Sequence, residues 1–195
     1  AGNITSFAGD STKLYRYLAN SFSDVSGSTT FSTPNDNDWK FTQFGNYIIA
    51  SNGANNPQVW QLDSSTNFAD LGGSPPTFFH TAVVRNFVVS GWQPTNRNKL
   101  HWSAIGNHAS WSIGVDKSDE ETLFDTSEIT GIVGGEFGIV LCVNKIFQLN
   151  FVGGSSIFQI RAIEQERGAI AHGSIVTVGY SSVLYSACFS RFHHT

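Results

Sequence analysis

The feature that most constrains this chain is a period. Four short alternating runs share one pattern: Lys13-Leu14-Tyr15-Arg16-Tyr17, Gln58-Val59-Trp60-Gln61-Leu62, Lys99-Leu100-His101-Trp102-Ser103 and Lys145-Ile146-Phe147-Gln148-Leu149. Leu14, Val59, Leu100 and Ile146 follow one another at intervals of 45, 41 and 46 residues. A unit of that length makes one small sheet, which cannot bury its own faces. Such units must stack, and this spacing is that of β-propeller blades.

Three further sets of runs keep the same beat. Ile4-Thr5-Ser6-Phe7, Tyr47-Ile48-Ile49-Ala50, Phe87-Val88-Val89-Ser90, Ile139-Val140-Leu141-Cys142 and Val183-Leu184-Tyr185-Ser186 are near-continuous apolar stretches, as expected of strands covered on both sides. Trp39 to Phe44, His80 to Val84, Ile129 to Val133 and Ile175 to Val178 precede them. Phe22-Ser23-Asp24-Val25, Phe68-Ala69-Asp70-Leu71, Trp111-Ser112-Ile113 and Phe158-Gln159-Ile160 close the units.

The fold class expected is therefore all-β, a β-propeller of four-stranded antiparallel blades forming a single domain over 1–189. Blades at 37–73, 77–114 and 128–167 are complete. Partial blades at 1–27 and 173–189 flank them, and 190–195 is a tail. Tyr15, Trp60, Trp102 and Phe147 are expected between blades. Met is absent, including at position 1, so the chain reads as trimmed or as part of something longer.

Composition narrows the function. Charged residues are 13% of the chain, about half the usual share, and the net charge is −4. With its Lys and Arg scattered, the chain lacks the basic surface that phosphate neutralisation requires. No apolar run approaches a membrane span. Cys142 and Cys188 sit in apolar runs without ligand spacing and read as buried free thiols.

Candidate sites are few. The stretch from Val115 to Glu128 carries Asp116, Asp119, Glu120, Glu121, Asp125 and Glu128 against Lys117. It lacks the calcium-loop spacing and reads as a solvated insertion suited to a subunit contact. The connection Gly91 to Asn98 holds Trp92 and Arg97. Trp92, Arg97, Asp116, Asp119, Glu120 and Glu121 are thus the candidate partner-contact residues. His80, His101, His108 and His172 show no ligand spacing, although a propeller axis can gather residues from different blades. Asn35-Asp36-Asn37-Asp38 reads as a turn. Glu164, Glu166 and Arg167 read as a charge cluster near a blade edge. No catalytic residue, metal or cofactor is assigned, and the chain reads as a non-enzyme.

Four segments carry a resemblance. They are W-K-F-T-Q-F-G-N-Y-I-I-A-S-N-G-A-N-N-P-Q-V, N-K-L-H-W-S-A-I-G-N, I-T-G-I-V-G-G-E-F-G-I-V and F-V-G-G-S-S-I-F-Q-I-R-A-I-E-Q-E-R-G-A-I-A-H-G-S-I-V. In order and wording they resemble the packaged-DNA stabilisation, or head-to-tail connecting, β-propeller proteins of short-tailed phages and related prophages. The resemblance spans roughly residues 1–180. It implies a virion protein, assembled in the host cytoplasm, that forms a homo-oligomeric ring below the portal. That ring would join portal to tail components and help retain packaged DNA. No membrane and no sequence-specific nucleic acid is implied. Cys188-Phe189-Ser190-Arg191-Phe192 departs from the family's wording. The alternative is a carbohydrate-binding or host-recognition propeller, in which exposed Trp92 and Trp111 would stack on sugar rings.

Overall fold

The computed structural model describes residues 5–34, 38–154, 156–172, 174–178 and 182–185. Every helix or strand among them is a strand. The first sheet holds β1 (Ser6–Gly9), β2 (Leu14–Leu18) and β3 (Ser21–Asp24). The second holds β4 (Lys40–Phe44), β5 (Tyr47–Ser51), β6 (Gln58–Gln61) and β7 (Ala69–Asp70). In the third are β8 (His80–Val84), β9 (Phe87–Gln93), β10 (Asn96–Trp102) and β11 (Asp119–Thr122). The fourth comprises β12 (Ile129–Val133), β13 (Gly138–Cys142), β14 (Ile146–Phe151) and β15 (Phe158–Glu164). Last come β16 (Ile175–Val178) and β17 (Ser182–Tyr185), paired with each other.

Within every sheet the strands run up and down, each antiparallel to the one before it in sequence. The expected all-β architecture of repeated antiparallel blades is thus observed. The first strands of successive blades lie side by side, β8 touching both β4 and β12. Thr42 Oγ1 donates across that junction to Thr81 O at 3.0 Å. Between the third and fourth blades, Gly135 N donates to Val83 O at 3.0 Å and Arg85 N donates to Gly135 O at 2.7 Å. Gly134 beside them is obligatory, because a Cβ there would overlap the Val83 carbonyl.

Apolar cores fill the spaces between blades. Leu14, Val25, Phe31, Trp39, Trp60 and Phe68 join the first blade to the second. Ile49, Leu71, Phe78, Val88 and Trp111 join the second to the third. The largest cluster, which includes Phe87, Leu100, Trp102, Ile129, Phe147 and Phe158, joins the third to the fourth. Each large side chain so buried contributes about 1.5–3 kcal/mol, which is why a chain poor in charge is rich in Phe. Trp60, Trp102 and Phe147 lie between blades as expected. Tyr15 is only half-buried, its hydroxyl donating to Asp10 Oδ2 at 2.8 Å, and Leu14 takes the core position.

Two strand assignments are corrected. Trp111-Ser112-Ile113 is not a strand; the fourth strand of the third blade is β11, inside the acidic stretch and beyond the expected limit of 77–114. Pairing with β10 overrides the low strand propensity of Asp and Glu. Gly91 to Asn98 is not an open loop either. Strands β9 and β10 extend through most of it, and only Pro94 and Thr95 form the turn. The Asn35-Asp36-Asn37 turn, Cys188 and the tail 190–195 lie outside the described residues.

Candidate functional site

Lys40 and His80 are the first residues of β4 and β8, so they occupy the same position in adjacent blades. His172 belongs to the connection between β15 and β16. Stacking of the blades brings the three together around a cavity of about 210 Å³, lined also by Thr42, Thr81, Gly131 and Ile175. His80 Nε2 and His172 Nδ1 are 2.8 Å apart, so one ring donates an N–H to the other. The rings stack with centroids 5.0 Å apart and planes 19° from parallel.

Aromatic walls hold the pair. Phe79 lies 4.6 Å from the His80 ring and 5.4 Å from His172, and Trp92 meets both Phe79 and His172 edge-on. Trp92 has φ 62, a left-handed conformation rare for so bulky a residue. Its backbone carbonyl accepts from Phe79 N at 3.1 Å, and its indole Nε1 donates to Glu128 Oε2 at 3.1 Å. Arg97 donates to the same carboxylate oxygen at 3.2 Å and lays its guanidinium over the indole, 4.8 Å from the ring centroid. The strained backbone of Trp92 is thus fixed from several sides, as such conformations require.

Burial pushes His80 well below the ordinary imidazole range, helped by His172 and Lys40. Burial also lowers His172, opposed by Glu128 and a hydrogen bond to the Thr130 backbone. Both shifts favour the neutral ring over the imidazolium. The pair alone is a poor cation site: no group of three His, Cys, Asp or Glu suited to a metal occurs among the described residues. The Lys40 ammonium, 5.3 Å from the Phe79 centroid, adds positive potential beside the rings.

The other histidines among the described residues, His101 and His108, stand apart. His101 is buried against Trp111, with Nε2 3.0 Å from Trp111 O and Nδ1 3.7 Å from Glu120 Oε2. His108 is half-buried with its ring 3.9 Å from Tyr47.

The six candidate contact residues do not form one loop surface. Trp92 is 8% exposed and Trp111 2%, so neither presents a face to a sugar; both are core residues. Arg97 is an exposed strand residue tied to Glu128. Asp119, Glu120 and Glu121 are in β11, and only Asp116 stays in an exposed connection. Half of the six acidic residues of the stretch have a cationic partner within the fold. Glu120 pairs with Lys99, Glu128 with Arg97 at 3.2 Å, and Asp125 with Lys145 at 3.8 Å. Glu121 borders a crevice of about 670 Å³ between the outer strands of the third and fourth blades, next to the exposed Phe124 and Val152.

At the end of β15, Glu164 Oε1 accepts from the backbone N–H groups of Gln165 and Glu166 at 2.9 and 3.0 Å. This carboxylate caps a turn rather than joining a charge ladder. Burial pushes the Cys142 thiol up to about 11, consistent with a core role for that free cysteine.

Lys40, Phe79, Thr81 and Glu128 are members of the site that the sequence reading did not place there. The period carried part of the signal, since Lys40 and His80 are forty residues apart at equivalent strand positions. His172 lies between blades, where no strand pattern marks it.

These features define an all-β protein of propeller-like blades with a polar cavity at its inner strands. No family model matches the chain, and no curated protein matches it.

Proposed function

We propose that the chain is a structural virion protein, a component of the head-to-tail connector ring of a tailed phage or prophage. In this reading it is not an enzyme. Copies assemble into a ring that joins portal to tail components and helps retain packaged DNA. The observation that carries the reading is where the family-like segments fall. W-K-F-T-Q-F-G-N-Y-I-I-A-S-N-G spans the β4–β5 hairpin, N-K-L-H-W-S-A-I-G-N covers the second part of β10 and its following turn, and I-T-G-I-V-G-G-E-F-G-I-V supplies β12, its turn and the start of β13, with Gly134 at a blade crossing. Those segments encode the close approach of blades, which makes the array stiff.

A closed ring uses heterologous contacts, one surface meeting a different one on the next copy. The outer crevice beside Glu121 and Phe124 supports such a contact. Phe124 is 73% exposed there, beside the buried Phe147 and Phe158 that line the same crevice. The carbohydrate alternative loses its stacking platforms with the burial of Trp92 and Trp111.

Native mass spectrometry and electron microscopy of the whole chain test this. The expected result is a ring of identical copies that Phe124→Asp dissociates without unfolding the subunit. A chain that stays monomeric at every concentration, alone and with portal particles, would overturn the reading.

A further inference from the structure

We propose that the cavity between Lys40, His80, Thr81 and His172 is a binding site for a phosphate-type oxyanion, a property that goes beyond the connector reading and does not depend on it. Lys40 is the cation of the cavity wall and has no carboxylate partner among the described residues. Thr81 also lines the cavity, and its hydroxyl is buried without a hydrogen-bond partner. Buried hydroxyls are almost always satisfied, so an orphan in the wall of the same cavity as an unpaired cation marks a place where an acceptor belongs. The imidazole pair adds a donor only on protonation. In the neutral pair one N–H is used between the rings and the second, from His172, goes to the Thr130 backbone, so a further N–H becomes free only when a proton is added.

The electrostatics select the sign of the ligand. The charged groups acting on the pair are Lys40 from β4, Arg97 from β10 and Glu128 before β12. Glu128 is already engaged by Arg97 and the Trp92 indole. The remaining potential is positive, and a cavity of about 210 Å³ has room for a single tetrahedral oxyanion. A bound anion stabilises protonated imidazole, so binding and protonation reinforce each other.

The phosphate group has two sources, free inorganic phosphate and a nucleic-acid backbone. Titrating the folded chain with each while following the His80 and His172 ring signals by NMR distinguishes them. Inorganic phosphate is expected to shift both rings saturably, more tightly at pH 6 than at pH 8. Lys40→Gln should weaken the interaction about tenfold, the loss of one charge-assisted contact. Thr81→Val removes a hydroxyl that bonds nothing in the fold, so it should leave stability intact and still weaken phosphate. A short single-stranded oligonucleotide that competes with phosphate at these rings identifies a backbone ligand. If the oligonucleotide has no effect while phosphate binds, the ligand is the free anion. Absence of any ring shift in the folded chain, or shifts that Lys40→Gln and Thr81→Val leave unchanged, would overturn the proposal. Neither result would bear on ring assembly.

Discussion

Trp60 and Trp102 stand on the third strands of neighbouring blades and face opposite ways. The hairpins fix their positions: Ile48 pairs with Trp60, while in the next blade it is Val89, the counterpart of Ile49, that pairs with Trp102. Trp60 therefore packs back onto the first blade with Phe7 and Phe68. Trp102 packs forward onto Phe158 of the fourth blade at 5.1 Å, its Nε1 donating to Lys117 O at 2.9 Å. Ser103 holds the place equivalent to Trp60, and Trp111 from the following connection supplies the aromatic for that interface. Trp60→Ala and Trp102→Ala should each cost about 3–5 kcal/mol, as for large aromatic truncations in a core. Because the two residues sit in different cores, the double variant should be additive. Urea unfolding of the single and double variants measures this, and coupling above about 0.5 kcal/mol would place them in one core.

Glycines at blade crossings should be unequal. A methyl group on Gly134 would meet the backbone carbonyl of Val83, which cannot turn aside. One on Gly131 would meet only Ile175 Cδ1, the far end of a side chain. Gly106 has open space around it and a φ of +71, so alanine there costs backbone strain alone, on the order of 1 kcal/mol. The expected order of destabilisation is Gly134→Ala above Gly131→Ala, with Gly106→Ala near that 1 kcal/mol. Thermal unfolding of the three variants reads the order directly.

The blade period was legible because each unit repeats apolar strands and turn residues at nearly constant spacing. The phase of the aromatics was not. His101 and Trp102 are both large and both buried, and alternation alone does not say which neighbour each side chain meets. Strand β11 was hidden for a different reason. Asp119, Glu120 and Glu121 look like a solvated turn, and only the pairing of Glu120 with Lys99 and His101 across the ladder makes them a strand. The cavity was half legible. Lys40 and His80 repeat with the blades, whereas the partnership of His80 with His172 spans ninety-two positions and depends on stacking alone.

The histidine pair should make the fold acid-sensitive. Burial lowers the affinity of His80 and His172 for protons relative to the unfolded chain, whose imidazoles titrate near 6.5. The unfolded state then binds more protons, so stability rises with pH. The contribution is complete above the unfolded value and is lost as pH falls from about 6.5 towards the lower folded values. His101 and His108 are lowered by burial in the same sense. Urea midpoints should drop between pH 7.5 and pH 5, and the drop should be smaller in the double variant His80→Gln/His172→Gln. An undiminished drop would assign the acid sensitivity to other groups.

Cys142 should be chemically silent in the folded chain. It is fully buried in the core between the third and fourth blades, and its thiol is pushed up to about 11. Only the thiolate alkylates, and at pH 8 almost none is present even where reagent enters. Iodoacetamide labelling followed by peptide mass mapping should leave Cys142 unmodified in buffer and fully modified in concentrated urea. Rapid labelling of Cys142 in buffer would show that the interface between these blades opens readily.

The Trp92–Glu128–Arg97 contact should matter through the indole rather than through the ion pair. Arg97 and Glu128 form a partly exposed pair, and pairs of that kind contribute about 0–1 kcal/mol. The indole N–H is different, because its ring is buried and the carboxylate is its partner. Arg97→Gln should therefore cost less than about 1 kcal/mol. Glu128→Ala leaves the indole donor without its acceptor beside a backbone already held at φ 62, and should cost about 1–3 kcal/mol. Glu128→Gln keeps an acceptor oxygen for the indole while losing the charge, so its cost should resemble that of Arg97→Gln. Equal losses in Glu128→Ala and Arg97→Gln would show that the charge pair, not the indole hydrogen bond, holds Trp92 in place.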